Sequence, residues 1–227
     1  MKYEIIGGQL PVVVCKLNEG EKMFTESGGM SWMDEGFHMD SNTRGGILKG
    51  LGRALSGESI FLTTYTSTKD DSEIAFGSSF PGKILPVKLD GDKSFIIQKN
   101  AFLAAEDNIH LDPFFRKKLG TGFFGGEGFI LQKISGEGTA FLEIDGDIVE
   151  KDLAPGETIQ VDQGYIAAFE ESVRFDITTV KGLKNKFFSG EGFFMATLTG
   201  PGKILLQTMP FSVLADRIIA LVPSSNQ

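Results

Sequence analysis

The chain states one pattern three times, and that repetition restricts its fold more than any other property. Gly20-Glu21-Lys22-Met23-Phe24, Gly29-Met30-Ser31-Trp32-Met33-Asp34-Glu35 and Phe37-His38-Met39-Asp40 form the first copy. Gly91-Asp92-Lys93-Ser94-Phe95, Ala101-Phe102-Leu103-Ala104-Ala105-Glu106 and Ile109-His110-Leu111-Asp112 answer them, and Gly156-Glu157-Thr158-Ile159-Gln160, Tyr165-Ile166-Ala167-Ala168-Phe169-Glu170 and Val173-Arg174-Phe175-Asp176 follow. A second half-motif trails each copy, at Ser56-Gly57-Glu58-Ser59, Gly125-Gly126-Glu127-Gly128 and Ser189-Gly190-Glu191-Gly192, each running into an apolar stretch. The first half recurs after 71 and 65 residues and the second after 69 and 64, so the two keep step.

Units of this length lie near the lower limit for folding alone. The 227 residues are therefore expected to form a single compact unit of three internal repeats, roughly 1–87, 88–152 and 153–227. Most of the sequence alternates with a two-residue period, as in Phe141-Leu142-Glu143-Ile144, and Gly-rich turns such as Asn18-Glu19-Gly20, Asp90-Gly91-Asp92 and Ala154-Pro155-Gly156 punctuate it. That pattern predicts an all-β chain of three β-sandwich repeats with pseudo-threefold symmetry, akin to a double-stranded β-helix, with one or two short helices. Within each repeat the second half-motif reads as a hairpin, longer at its first tip, Ser67 to Ser72, than at Ser135 to Gly138 or Thr199 to Gly202. Trp32, Phe102 and Ala168 are expected in equivalent buried or half-buried places.

Two stretches have helical spacing: Ile47, Leu48, Leu51, Ala54 and Leu55, and the tail Phe211 to Val222. Both are expected to cover the β core.

The composition narrows function more than it reveals it. A net charge of −8 opposes phosphate backbones and anionic membranes, so a nucleic-acid role is disfavoured. One cysteine excludes an intrachain disulfide, and the apolar run at Leu10 to Cys15 is too short for a membrane span or a signal-peptide core. The expected location is cytoplasmic. Cys15 follows Val12-Val13-Val14, where burial raises a thiol pKa rather than activating it. Two histidines cannot build a cupin-type metal centre, and at the place of His38 and His110 the third copy has Arg174. The chain thus offers no catalytic residue, cofactor site or metal site, and no cofactor is expected. The carboxylates Asp40, Asp112 and Asp176 and Glu58, Glu127 and Glu191 recur in every copy and are read as structural. Phe interleaved with cations at Phe114, Phe115, Phe123, Phe124, Phe187 and Phe188 reads as a subunit seam or ligand groove, since such clusters pack at interfaces and can also stack bases.

Ser27-Gly28-Gly29-Met30-Ser31-Trp32-Met33, the Gly-Glu-Gly strand starts and the closing Pro210-Phe211-Ser212-Val213-Leu214-Ala215 carry a resemblance. Over essentially its whole length the chain resembles the altered-inheritance-of-mitochondria family of bacterial, archaeal and fungal-mitochondrial proteins. The resemblance implies a fold similar to the tryptophan RNA-binding attenuation protein, a small β-sandwich that assembles side by side into rings. It supplies no catalytic residue. The basic residues such a relative repeats for RNA are not kept, because Lys22 and Lys93 are answered by Thr158.

The expected function is that of a non-enzymatic assembly or interaction protein, a homo-oligomer with a trimer favoured and an unspecified protein or small-molecule partner. The alternative is a ring that binds a small ligand or RNA in grooves between repeats.

Overall fold

The computed structural model describes residues 1–26, 28–41, 62–117, 129–179 and 194–221. Strands dominate them, all in antiparallel pairs wherever the register is defined. The chain divides into two compact units. Met1–Gly91, Phe102–His110 and Gly136–Glu143 form the first, and Asp92–Ala101, Leu111–Ser135 and Ile144–Gln227 the second.

The first unit has two layers. One is a four-stranded sheet in the order β1 (Lys2–Ile6), β2 (Val12–Leu17), β7 (Ser72–Gly77), β4 (Met30–Met33). In the other, β5 (Phe37–Asp40) pairs β6 (Leu62–Ser67), which pairs β3 (Lys22–Glu26), then β10 (Phe102–Glu106), then the C-terminal part of β12 (Phe129–Asp145); β8 (Gly82–Asp90) also pairs β12. Alternation decides which side chains face inward: along β2, Val13, Cys15 and Leu17 are buried while Lys16 is exposed. With Ile74 and Phe76 of β7 they meet Met23, Tyr65, Ile84, Leu103, Ala104 and Phe141 in one core. Burying each large apolar side chain there contributes about 1.5–3 kcal/mol.

The second unit is built the same way. Here β13 (Ile148–Leu153), β18 (Gly202–Gln207), β15 (Ile166–Glu170), β9 (Phe95–Gln98) and the N-terminal part of β12 are hydrogen-bonded in that order. The strand β11 (Ile109–Lys117) pairs β12, and β14 (Thr158–Asp162), β17 (Phe194–Thr199) and β16 (Arg174–Thr179) form a three-stranded sheet. Ile96, Phe129, Leu131, Phe169 and Ile204 pack against Val161, Ala196 and Leu198 in its core.

One pairing scheme recurs. In β4–β7, β10–β12 and β15–β18 the register slips at the same place, between Met30 and Trp32, Phe102 and Ala104, and Ile166 and Ala168. Trp32 therefore matches Ala104 and Ala168, not Phe102, whose counterparts are Met30 and Ile166. The expected burial also fails at one member: Trp32 is 44% exposed, whereas Ala104 and Ala168 are fully buried. The turn glycines Gly20, Gly91 and Gly156 all take positive φ, 82°, 92° and 79°, which explains why glycine opens each first half-motif. The turn from Gly91 is one residue longer, since Phe95 opposes Ile134 as Met23 opposes Tyr65 and Ile159 opposes Leu198.

Helix α1 spans Phe211–Ile219. Phe211, Ile218 and Ile219 are exposed while Val213, Leu214 and Ala215 are half-buried, so only part of its apolar stripe faces inward, less than expected. The expected helix at Ile47 to Leu55 lies outside the described residues.

Candidate functional site

The first unit carries an open groove of about 340 Å³ on the outer face of its four-stranded sheet, lined by Lys2, Tyr3, Glu4, Ile6, Val14, Lys16, Trp32 and Glu73. Register explains the gathering. Lys2 opposes Lys16, Glu4 opposes Val14, Lys16 opposes Glu73, and Val14 and Trp32 both oppose Ala75. The methyl of Ala75 leaves room over the middle of the sheet, and Trp32 lies beside it at the edge. The indole N–H of Trp32 donates to Glu73 Oε1 at 3.2 Å, which fixes the ring on this face. Two lysines face two glutamates, so the groove has no net sign with which to select an anion or a cation. Its distinguishing chemistry is aromatic and aliphatic surface beside a strand edge, because β4 is the last strand of its sheet among the described residues.

A carboxylate ends the strand next to each register slip. Asp34 Oδ2 accepts from Glu73 N at 2.8 Å, Glu106 Oε2 from Thr139 N at 2.6 Å and Glu170 Oε2 from Lys203 N at 2.9 Å. At Gly138 and Gly202, with φ of 146° and 142°, an added Cβ would sit 3.1 and 3.2 Å from those glutamate oxygens. In the first copy the shorter Asp34 is matched by Ser72 instead. These acids clamp the neighbouring strand's backbone and are occupied in doing so. A second clamp recurs at the preceding turn, where Glu21 Oε2 accepts from Asn18 N at 2.7 Å and Glu157 Oε2 from Ala154 N at 2.8 Å.

The carboxylates singled out from the sequence are placed differently. Asp40 and Asp112 are exposed on β5 and β11, and Asp176 lies 3.5 Å from Arg174, both largely in solvent. Glu58, Glu127 and Glu191 lie outside the described residues, as do Phe123, Phe124, Phe187 and Phe188. Phe114 is 45% exposed with its ring edge-on to Phe169 at 6.4 Å. Phe115 is half-buried and packs on Phe175 at 5.2 Å, against the second unit's core. His38 and Arg174 oppose Thr66 and Thr199, matching places on exposed strand faces. Among the described residues no three His, Cys, Asp or Glu side chains converge as a metal site would require. Burial, then the nearby charge of Glu106, pushes the Cys15 thiol up to about 12, so it is protonated at neutral pH. No helix among the described residues is long and apolar enough to cross a membrane.

The groove and the Asp34, Glu106 and Glu170 clamps escape a reading of motifs taken singly. Aligning the repeats exposes both: an acid stands at one place in all three, and a tryptophan stands where the other copies have alanine.

Residues 3–209 match the model of the mitochondrial biogenesis AIM24 family. The chain belongs to this family. It is 28% identical to an uncharacterized protein of Streptococcus pyogenes serotype M6, covering 96% of this chain and 89% of that one. Its fold is similar to the crystal structure of protein SPYM3_0169 from Streptococcus pyogenes, a structural-genomics target, with a TM-score of 0.79 at 25% identity over 97% of this chain and 99% of the other. The AIM24 match takes in the clamp residues and every groove residue but Lys2.

Proposed function

We infer that this AIM24-family chain is a non-enzymatic assembly or interaction protein, with three pseudo-equivalent β repeats, that forms a ring of three chains. One observation carries the reading: a strand of one repeat pairs with a strand of the repeat before it, twice, in the same register. Ala104, Ala105 and Glu106 oppose Thr25, Phe24 and Met23, and Ala168, Phe169 and Glu170 oppose Ile97, Ile96 and Phe95. A junction that propagates head to tail builds either an open filament or a closed ring, and closure removes exposed edges. Sedimentation velocity at micromolar concentration tests this. A species of three chains is expected, the 24.6 kDa chain alone would overturn the reading, and a dimer would remove ring closure.

The groove supports a second reading, in which Trp32 stacks on a flat, uncharged small molecule that also meets Val14 and Ile6. Its test is quenching of the emission of Trp32, the only tryptophan, by aromatic compounds at fixed protein concentration. Saturable quenching would favour it over assembly alone.

A further inference from the structure

We propose that the β4 edge, together with the Trp32 groove, is covered by β14 of a second copy of this chain, in a register given by the two junctions already seen. This deepens the assembly reading and rests on it. Three repeats joined head to tail need two internal junctions and leave one strand of each kind over. Both internal junctions are on the page, β10 on β3 and β15 on β9. The strands left over are β4, which carries the register slip of β10 and β15, and β14, which pairs β17 as β3 pairs β6. Each ends its sheet among the described residues.

Superimposing the pairings fixes the partners. Trp32 takes the place of Ala104 and Ala168, and Val161 that of Thr25 and Ile97, so Trp32 should oppose Val161, Met33 should oppose Gln160 and Asp34 should oppose Ile159. Exposure gives independent support. Ala104, Thr25, Ala168 and Ile97 are all at most 1% exposed, whereas Trp32, standing in the same place on β4, is 44% exposed. Large and small residues also change places across the sheet. Phe141 opposes Ala104 and Leu205 opposes Ala168, but Ala75 opposes Trp32. The bulk required in each junction is thus present in β4, supplied from the other strand, and the residue supplying it is of a type enriched at subunit interfaces. Backbone groups along both edges would gain partners at the same time.

The test is a disulfide across the predicted register, Met33→Cys with Gln160→Cys in a Cys15→Ser background. Residues directly opposite in an antiparallel pair have Cα atoms about 4.5–5.5 Å apart, within the range a disulfide spans. Mild oxidation should convert the chain into covalently closed oligomers on a non-reducing gel, while either single cysteine variant should not. A faster-migrating monomer would show that the two edges close within one chain, and would overturn the proposal. A trimer by sedimentation with no cross-link would overturn the register while leaving the ring standing, whereas a chain that stays monomeric would overturn both. The unmodified protein supplies a second measurement that no cysteine variant can spoil. Trp32 emission should lie at short wavelength and resist acrylamide in the assembly, then shift red and quench freely on dilution. Emission that ignores dilution across the dissociation seen by sedimentation would contradict the proposal.

Discussion

Strands β10 and β4 occupy the same place in successive repeats, yet one is a core strand and the other a margin. Each pairs its neighbour, β12 or β7, through the same register slip, and each is followed or closed by a carboxylate that clamps a backbone N–H. The difference is a second neighbour. Because β10 also pairs β3, Ala104 and Ala105 are fully buried, whereas β4 has β7 alone among the described residues and leaves Trp32 in solvent. The strand, the slip and the clamp thus recur with or without that neighbour, while burial is set by what lies alongside.

Substitutions at matched places sharpen that contrast. The largest effect belongs to Phe141→Ala, which empties the middle of the first unit's core and should cost about 3–5 kcal/mol in chemical denaturation. Trp32→Ala should cost the single chain less than about 1 kcal/mol, because nearly half of the side chain is already in water. Equal losses at the two sites would break the comparison.

The clamps should follow the same order at smaller scale. Glu106→Ala strands the part-buried N–H of Thr139 and should destabilise by about 1–3 kcal/mol. Asp34→Ala frees an exposed N–H that water can satisfy, so its unfolding midpoint should move by a smaller amount. A larger loss at Asp34 would mean that β4 is less marginal than its exposure shows.

Cys15 reports on the first unit without mutation. Burial, with Glu106 adding to it, holds the thiol at about 12, so alkylation at mildly alkaline pH should be slow in the folded chain and fast in denaturant. Rapid labelling of the native protein would show that the core under β2 opens readily.

The smallest expected effect is acid sensitivity at the first turn. The backbone N–H of Asn18, followed by the N-terminal ammonium, lowers the Glu21 pKa below 4.5 in the folded chain. A depressed carboxylate contributes stability above its unfolded pKa, and that contribution is lost as pH falls through the folded value. Denaturation midpoints taken at decreasing pH should therefore fall below about pH 4.5, and less steeply in Glu21→Gln. A variant as acid-sensitive as the parent would remove Glu21 from the account.

Much of the fold was legible because it is written in local chemistry. Alternation marks the strands, and glycine at positive φ marks Gly20, Gly91 and Gly156. The hairpins expected of the second half-motifs do not form: β6 and β7 lie in different sheets, as do β17 and β18, and β12 runs on as one strand. The site was less legible. Two-residue periodicity says that Trp32 faces one side of a sheet but not whether another strand covers that side, which depends on pairing across repeats. Phe115 shows the same limit: the sequence places it beside Arg116 and Lys117, and only tertiary packing half-buries it against Phe175. The register slip at Ser31, Leu103 and Ala167 has no signature in residue type, and it shifts the match of Trp32 from Phe102 to Ala104.

The most direct test of the central claim is sedimentation of the parent and Trp32→Ala side by side at micromolar concentration, with thermal unfolding followed on the same samples. The parent should run at three times the 24.6 kDa chain mass and unfold at a temperature that rises with protein concentration, and the variant should run as a single folded chain whose cooperative unfolding does not depend on concentration. A variant that assembles as fully as the parent would contradict the claim that β4 and its groove are the contact between copies.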